Sequence, residues 1–305
     1  MSAGPTPPRF SFEVFPARSS AAALALGHAS QHLAAAGPEF ISVTYGASGS
    51  TRDASLDLLR YLKQHTGAVP MAHLTTVGMT EEELRGVIGE TLDAGITEFL
   101  ALRGDPPKGL TEADAAVSGS LSSVQLIRLI RELRAERGVD QGRIAVAVYP
   151  NGHPQSRSRA ADIDWLIAKQ EAGATHGITQ LFFHAPEYLD FVAEARRAGL
   201  TIPVLPGLMP VSTLAQLRRV AELAGRPAPE SLVRALEAAG GSAPELGVAY
   251  TVQLARELLD GGAPSIHLYT FNRHEQVIEV LRALGHRAPH PLAPPTAAPV
   301  DTSAG

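Results

Sequence analysis

Cysteine is absent from this 305-residue chain. That excludes thiolate catalysis, disulfides and cysteine-ligated zinc. Runs of one charge are absent as well. The 26 basic and 31 acidic residues are interspersed and leave a net charge of −5, so no basic patch points to nucleic acid. No apolar stretch approaches the roughly 20 residues of a membrane-spanning helix, and Met1 to Pro8 has no apolar core of a secretion signal. The expectation is a cytoplasmic protein with no membrane or nucleic-acid partner. Three motifs are missing too. No Gly-x-Gly-x-x-Gly run follows a strand-like segment, no Gly-x-Ser-x-Gly elbow does, and no lysine stands inside a strand, Lys169 falling on a helical stretch. A Rossmann cofactor site, a hydrolase elbow and a Schiff-base lysine are therefore unsupported.

What is present is a 45% hydrophobic composition, enough for a large core. The most telling stretch is Thr97 to Pro107. Phe99 to Leu102 is an unbroken apolar run, as in a parallel strand covered on both faces. Arg103, Gly104 and Asp105 follow without a spacer, and two prolines end the strand. The arrangement recurs. Strand-like runs are expected at 10–16, 40–44, 69–74, 99–102, 144–149, 177–183, 202–205 and 265–269, each followed by a helical segment. Thr80 to Glu83 has the pattern of a capping box. Two helical segments, 229–239 and 243–259, interrupt the alternation. Eight strands alternating with helices predict an α/β fold, a closed (β/α)8 (TIM) barrel in a single domain spanning 10–286. Residues 1–9 read as an extension, and the Pro- and Ala-rich 287–305 as a disordered tail.

In such a barrel the active site lies at the C-terminal ends of the strands. The polar residues near those ends are Glu13, Thr44, His73, Arg103 with Asp105, Tyr149 with His153, Gln180, and Tyr269 with Arg273. A closed barrel gathers them around one mouth. Glu13, His73 and His153 would be the set for a metal, and none is expected.

Several blocks carry a resemblance. They include Phe12-Glu13-Val14-Phe15-Pro16, Ser42 to Ala47, Ala72-His73-Leu74-Thr75, Leu102-Arg103-Gly104-Asp105-Pro106, Tyr149-Pro150 with His153-Pro154, Ile178 to Phe183, Pro206-Gly207, and His267 to Arg273. In this order they resemble the 5,10-methylenetetrahydrofolate reductase family. The resemblance implies a barrel holding FAD, which takes hydride from NADH or NADPH and passes it to methylenetetrahydrofolate. Glu13 matches the general acid at folate N5, and Asp105 a catalytic residue between flavin and pterin. Asp105, Gln180, Gln216, Tyr269 and Arg273 match substrate-binding positions. Thr44, Tyr45, Ala47, His73, Arg103, Gly104, Asp105, Tyr149, His153, Asp162 and Lys169 match flavin-contacting positions. Relatives often oligomerise, so a homo-oligomer is expected.

The chain also departs from the family pattern. Leu121-Ser122-Ser123-Val124-Gln125 lacks a tyrosine, Trp165 and Ala168 replace an Asn and an Arg, and His184 stands where an acid is usual. These changes take polar partners from the nucleotide end of the flavin and leave Glu13, Asp105 and Gln180 untouched. Two alternatives stay open: direct hydride transfer to the same folate without flavin, and a non-catalytic folate-binding homologue.

Overall fold

The computed structural model describes residues 8–45, 49–104 and 120–287. Asp105, Ala47 and the tail from 288 onward lie outside them. Among the described residues the elements run β1 (Phe10–Val14), α1 (Ser20–Ala35), β2 (Ile41–Val43), α2 (Gly49–His65), β3 (Pro70–Thr75), α3 (Glu81–Asp93), β4 (Glu98–Leu102) and α4 (Ser123–Glu136). They continue with β5 (Ile144–Val148), α5 (Arg159–Ala172), β6 (His176–Thr179), α6 (Ala185–Arg197), β7 (Val204–Leu205), β8 (Gly207–Leu208) and α7 (Leu214–Ala224). The last are α8 (Glu230–Ala238), α9 (Pro244–Asp260), β9 (Ile266–Tyr269) and α10 (Glu275–Ala283). No described helix is long and apolar enough to cross a membrane.

The strands form one all-parallel sheet in the order β7-β6-β5-β4-β3-β2-β1-β9-β8. Proline has no N–H to give a ladder, and at Pro206, where the expected seventh strand of 202–205 ends, the stave changes partner and runs on to Leu208. Its first half, β7, pairs with β6, and its second half, β8, pairs with β9. The nine segments are thus eight staves of a (β/α)8 barrel. The expected sixth strand is shorter than its sequence suggests, stopping at Thr179, so Gln180 to Phe183 belong to the loop at the mouth. Helices α8 and α9 are the predicted interruptions. With α7 they pack over a separate apolar cluster that includes Phe183, Leu217, Val220 and Leu236.

Local chemistry explains the helix starts. Thr80 and Glu83 form the expected capping box of α3. Ser122 and Gln125 form another on α4, so the segment that lacks the family's tyrosine serves as a cap.

Alternation sorts each strand into two faces. Phe10, Phe12 and Val14 join the large core under the helices. Phe40, Met71, Leu100, Ala145, Ile178 and Leu205, from different parts of the ring, form a separate plug inside the barrel. In a parallel sheet, residues in register face the same side. Met71 is in register with Ser42, Ser42 with Glu13, and Glu13 with Tyr269. Glu13 and Tyr269 therefore point inward, above the plug. So does His73, which is in register with Leu100. Phe12 and Val14, next to Glu13 in sequence, are not its surroundings.

Candidate functional site

Glu13 sits one side chain above the plug, with 18% of its side chain exposed. Its Oε2 lies 3.5 Å from His73 Nε2 and 3.9 Å from His267 Nε2. Both imidazoles are buried, and neither Nε2 has a hydrogen-bond partner. The Nδ1 of His267 meets Ser11 Oγ at 2.8 Å. Burial lowers the pKa of His73, more than the charge of Glu13 raises it, and His267 lowers it further. A neutral His73 holds no fixed positive charge against the carboxyl, which faces the mouth beside two imidazole rings.

The backbone of Glu13 is held from β9. Its carbonyl accepts from Thr270 Oγ1 at 2.7 Å and from Thr270 N at 3.3 Å. Two residues on, the Asn272 side chain clamps Phe15, accepting from Phe15 N at 2.9 Å and donating to Phe15 O at 2.8 Å. Phe271 and Asn272 have φ of 50° and 60°, the left-handed region that costs roughly 1–2 kcal/mol per residue. Asn272→Gly keeps the conformation and loses the clamp. Asn272→Ala loses both, with each hydrogen bond worth about 0.5–1.5 kcal/mol. Thermal melts should place Asn272→Ala below Asn272→Gly, and both should turn over substrate several-fold more slowly. Equal melting temperatures would show that the left-handed backbone carries no cost here.

Tyr269 reaches across the top of β8. Its hydroxyl donates to Thr179 O at 2.9 Å, and burial, with the nearby Glu13 and Tyr149, raises its pKa well above the usual value. The phenol stays a donor. A Cβ on Gly207 would stand 2.6 Å from the Tyr269 ring and 2.4 Å from Thr179 O, so only glycine lets the ring pass. Gln180 follows Thr179, with its Oε1 accepting from Leu181 N at 2.8 Å. Gln216, Tyr269 and Arg273 line one cleft together with Met209 and Pro210. Gln216 Oε1 takes the Ser212 N–H at 2.7 Å.

Other matched positions form a chain on a second side of the mouth. Arg103 Nη1 donates to Gln155 Oε1 at 2.8 Å, Gln155 N donates to His153 Nδ1 at 3.1 Å, and His153 N donates to Asp162 Oδ2 at 3.1 Å. Tyr149 meets the His153 ring edge-on at 4.6 Å. Gly104 lies against Thr75. Thr44 extends β2, its N–H donating to Val14 O and its carbonyl accepting from Ser55 Oγ at 3.0 Å. Tyr45 stands apart, its hydroxyl near Met79 Sδ at 3.9 Å. Lys169 is buried within reach of the Asp162 charge. It turns under α5, where Nζ donates to Ala147 O at 3.3 Å and burial lowers its pKa to about 8 despite the pull of Asp162.

The profile of the family described as Methylenetetrahydrofolate reductase matches residues 5–285. The chain belongs to the methylenetetrahydrofolate reductase family. It is 32% identical over 280 residues to the 5,10-methylenetetrahydrofolate reductase of Salmonella typhimurium, covering 91% of this chain and 90% of that one. It is also 32% identical to methylenetetrahydrofolate reductase (NADH) 1 of Arabidopsis thaliana, covering 90% of this chain and 48% of that longer one. Among solved structures, a protein from Clostridium thermocellum that binds two copies of 5-methyl-5,6,7,8-tetrahydrofolic acid superposes with a TM-score of 0.60. It shares 13% identity and covers 91% of this chain and 94% of that one, a likeness of fold.

For this reductase-family chain the fit of a flavin divides in two. Arg103, Gln155, His153 and Asp162 are joined in one polar chain, with Tyr149 edge-on to His153, a donor and acceptor set that could face a cofactor. The nucleotide end is poorer. On α5, Trp165 is 47% exposed, Ala168 carries no charge, and the Lys169 ammonium is committed to a backbone carbonyl. Sequence reasoning missed His267, Thr270 and Asn272 as site residues. The signal for His267 was spacing: two residues before Tyr269 on the same strand, it had to share the inner face.

Proposed function

We propose that this chain reduces 5,10-methylenetetrahydrofolate to 5-methyltetrahydrofolate with NADH or NADPH, using Glu13 as the general acid. The observation that supports this reading is a carboxyl held inside the barrel mouth beside a neutral, buried histidine. A binding protein has no use for a proton donor there.

The product keeps its new methyl group on N5. The bond that breaks is therefore the one from the bridging carbon to N10. Glu13 delivers its proton to N10, and this electron balance moves the proton from the N5 of the sequence expectation. The lone pair of N5 then stabilises the bridging carbon as an iminium cation. Hydride adds to that carbon, completing the methyl group. Asp105 is assigned to stabilising the cation with its negative charge, and Gln180 to the pterin edge, since an amide both donates and accepts. Arg273 and Gln216 line the cleft that would take the rest of the folate. Folate-dependent oxidation of NADH and NADPH by the purified chain tests the reaction. No oxidation with either nucleotide, with or without added FAD, would leave the chain a binder.

Bound FAD would supply a hydride carrier between nicotinamide and folate, held by Arg103, Gly104, Tyr149, His153 and Asp162. A second reading, direct transfer from the nicotinamide to the folate, draws on the exposed Trp165 and the buried Lys169. Both features predict weak retention of the cofactor. Protein purified without added FAD should be partly or wholly colourless, and titration with FAD should report whether a site remains. Stoichiometric FAD that survives dialysis would refute the weak-retention prediction.

A further inference from the structure

Three histidines meet outside the barrel mouth, and the reaction uses none of them. His28 and His32 are four residues apart on α1, hence on one face. His274 comes from the residue before α10, directly after Arg273. One ring nitrogen from each of the three lies within 4.8 Å of the others. The Nε2 atoms of His28 and His32 are 3.2 Å apart. Two imidazole nitrogens bound to one tetrahedral ion at about 2.0–2.1 Å stand roughly 3.3–3.4 Å apart. The helix therefore already presents this pair at chelating separation.

We infer that His28, His32 and His274 form a transition-metal site of the Zn2+ type that ties α1 to the start of α10. Three neutral nitrogen donors without a thiolate select Zn2+, Co2+, Ni2+ or Cu2+ over the oxygen-loving Mg2+ and Ca2+. Glu275 Oε1 lies 3.9 Å from His274 Nδ1, beyond hydrogen-bond reach, and adds negative charge beside the three rings. His28 is exposed, so water can complete the coordination. His274 stacks on His32, with ring centres 4.2 Å apart and planes 8° from parallel. A metal lies in the plane of each ring it joins, so the His274 ring must swing out of this stack to bind. The site would also restrain Arg273, one residue away, without touching the reacting atoms.

The test uses full-length chain stripped with a chelator. Zn2+ titration followed by calorimetry should give one ion per chain. At a hundredfold excess over the dissociation constant, the melting temperature should rise by roughly 4–5 °C. Co2+ should give the intense visible bands of a tetrahedral nitrogen site. His274→Ala and the double variant His28→Ala with His32→Ala should each weaken Zn2+ binding by at least roughly tenfold, the lower edge of what even outer-shell losses cost. Metal-free melts of the variants check that they fold. Unchanged Zn2+ affinity in both variants would overturn the assignment. So would a wild-type chain that shows neither the thermal shift nor the Co2+ bands, which would leave the histidines as a surface stack.

Discussion

Glu13→Gln should lose methylenetetrahydrofolate reduction by about 10²–10⁴-fold, the range for removal of a general acid. The substitution is nearly isosteric, so the ring of contacts around it stays in place. The Thr270 bonds to Glu13 involve its backbone carbonyl and survive the change. What is lost is the proton, since an amide cannot give one up to N10. If the chain is loaded with FAD, oxidation of NADH or NADPH by the flavin should continue, because that step needs no acid at this position. This contrast separates a missing proton from a disturbed pocket. Turnover above about a tenth of wild type, well outside the general-acid range, would move the role to another residue.

Gly247→Ala should be the most destabilising single methyl addition outside the mouth. Gly247 lies in the first turns of α9 and is buried. A Cβ there would stand 1.7 Å from the carbonyl oxygen of Val211 and 2.7 Å from its carbon. Both are backbone atoms, so no side chain can rotate away. Overpacking usually costs about 1–3 kcal/mol, and a clash with backbone belongs at or above the upper end. The melting temperature should fall by roughly 5 °C or more, from about 3 kcal/mol over a chain of this size. Val211 follows Met209 and Pro210, which line the cleft with Arg273, so the KM for folate should rise while the general acid is untouched. A melting temperature within about 1 °C of wild type would mean that α9 can shift away without cost.

The barrel was legible because its evidence is periodic. Each stave is a short apolar run, and each stop is a glycine, a proline or a charge. Eight repetitions leave few other folds. The broken stave at Pro206 and the early end of β6 at Thr179 were less legible, because a ladder ends where partner groups stop aligning, and one strand's sequence does not contain its partner. Glu13 was legible as a lone acid on an apolar strand, but its neighbours were not. The flanking Phe12 and Val14 face the helices, and the contacts come from β3 and β9, about 60 and 254 residues away. Lys169 shows the same limit. Its place on a helical stretch was readable, while packing turned its ammonium beneath the helix to the carbonyl of Ala147.

Tyr269 gives the split stave a further meaning. Strand seven hydrogen-bonds to one neighbour below Pro206 and to the other above it, so at the height of Gly207 the ladder to β6 has run out. Two bonds to Thr179 bridge the gap there: Gly207 N donates to its Oγ1 at 2.8 Å, and the Tyr269 hydroxyl donates to its carbonyl. Tyr269 is thus a suture across the rim as well as a wall of the cleft it shares with Gln216 and Arg273. A substrate that drew the hydroxyl away would undo half of that suture. At this stave the rim rests on these two bonds in place of a ladder, and one of them comes from a residue that also lines the cleft.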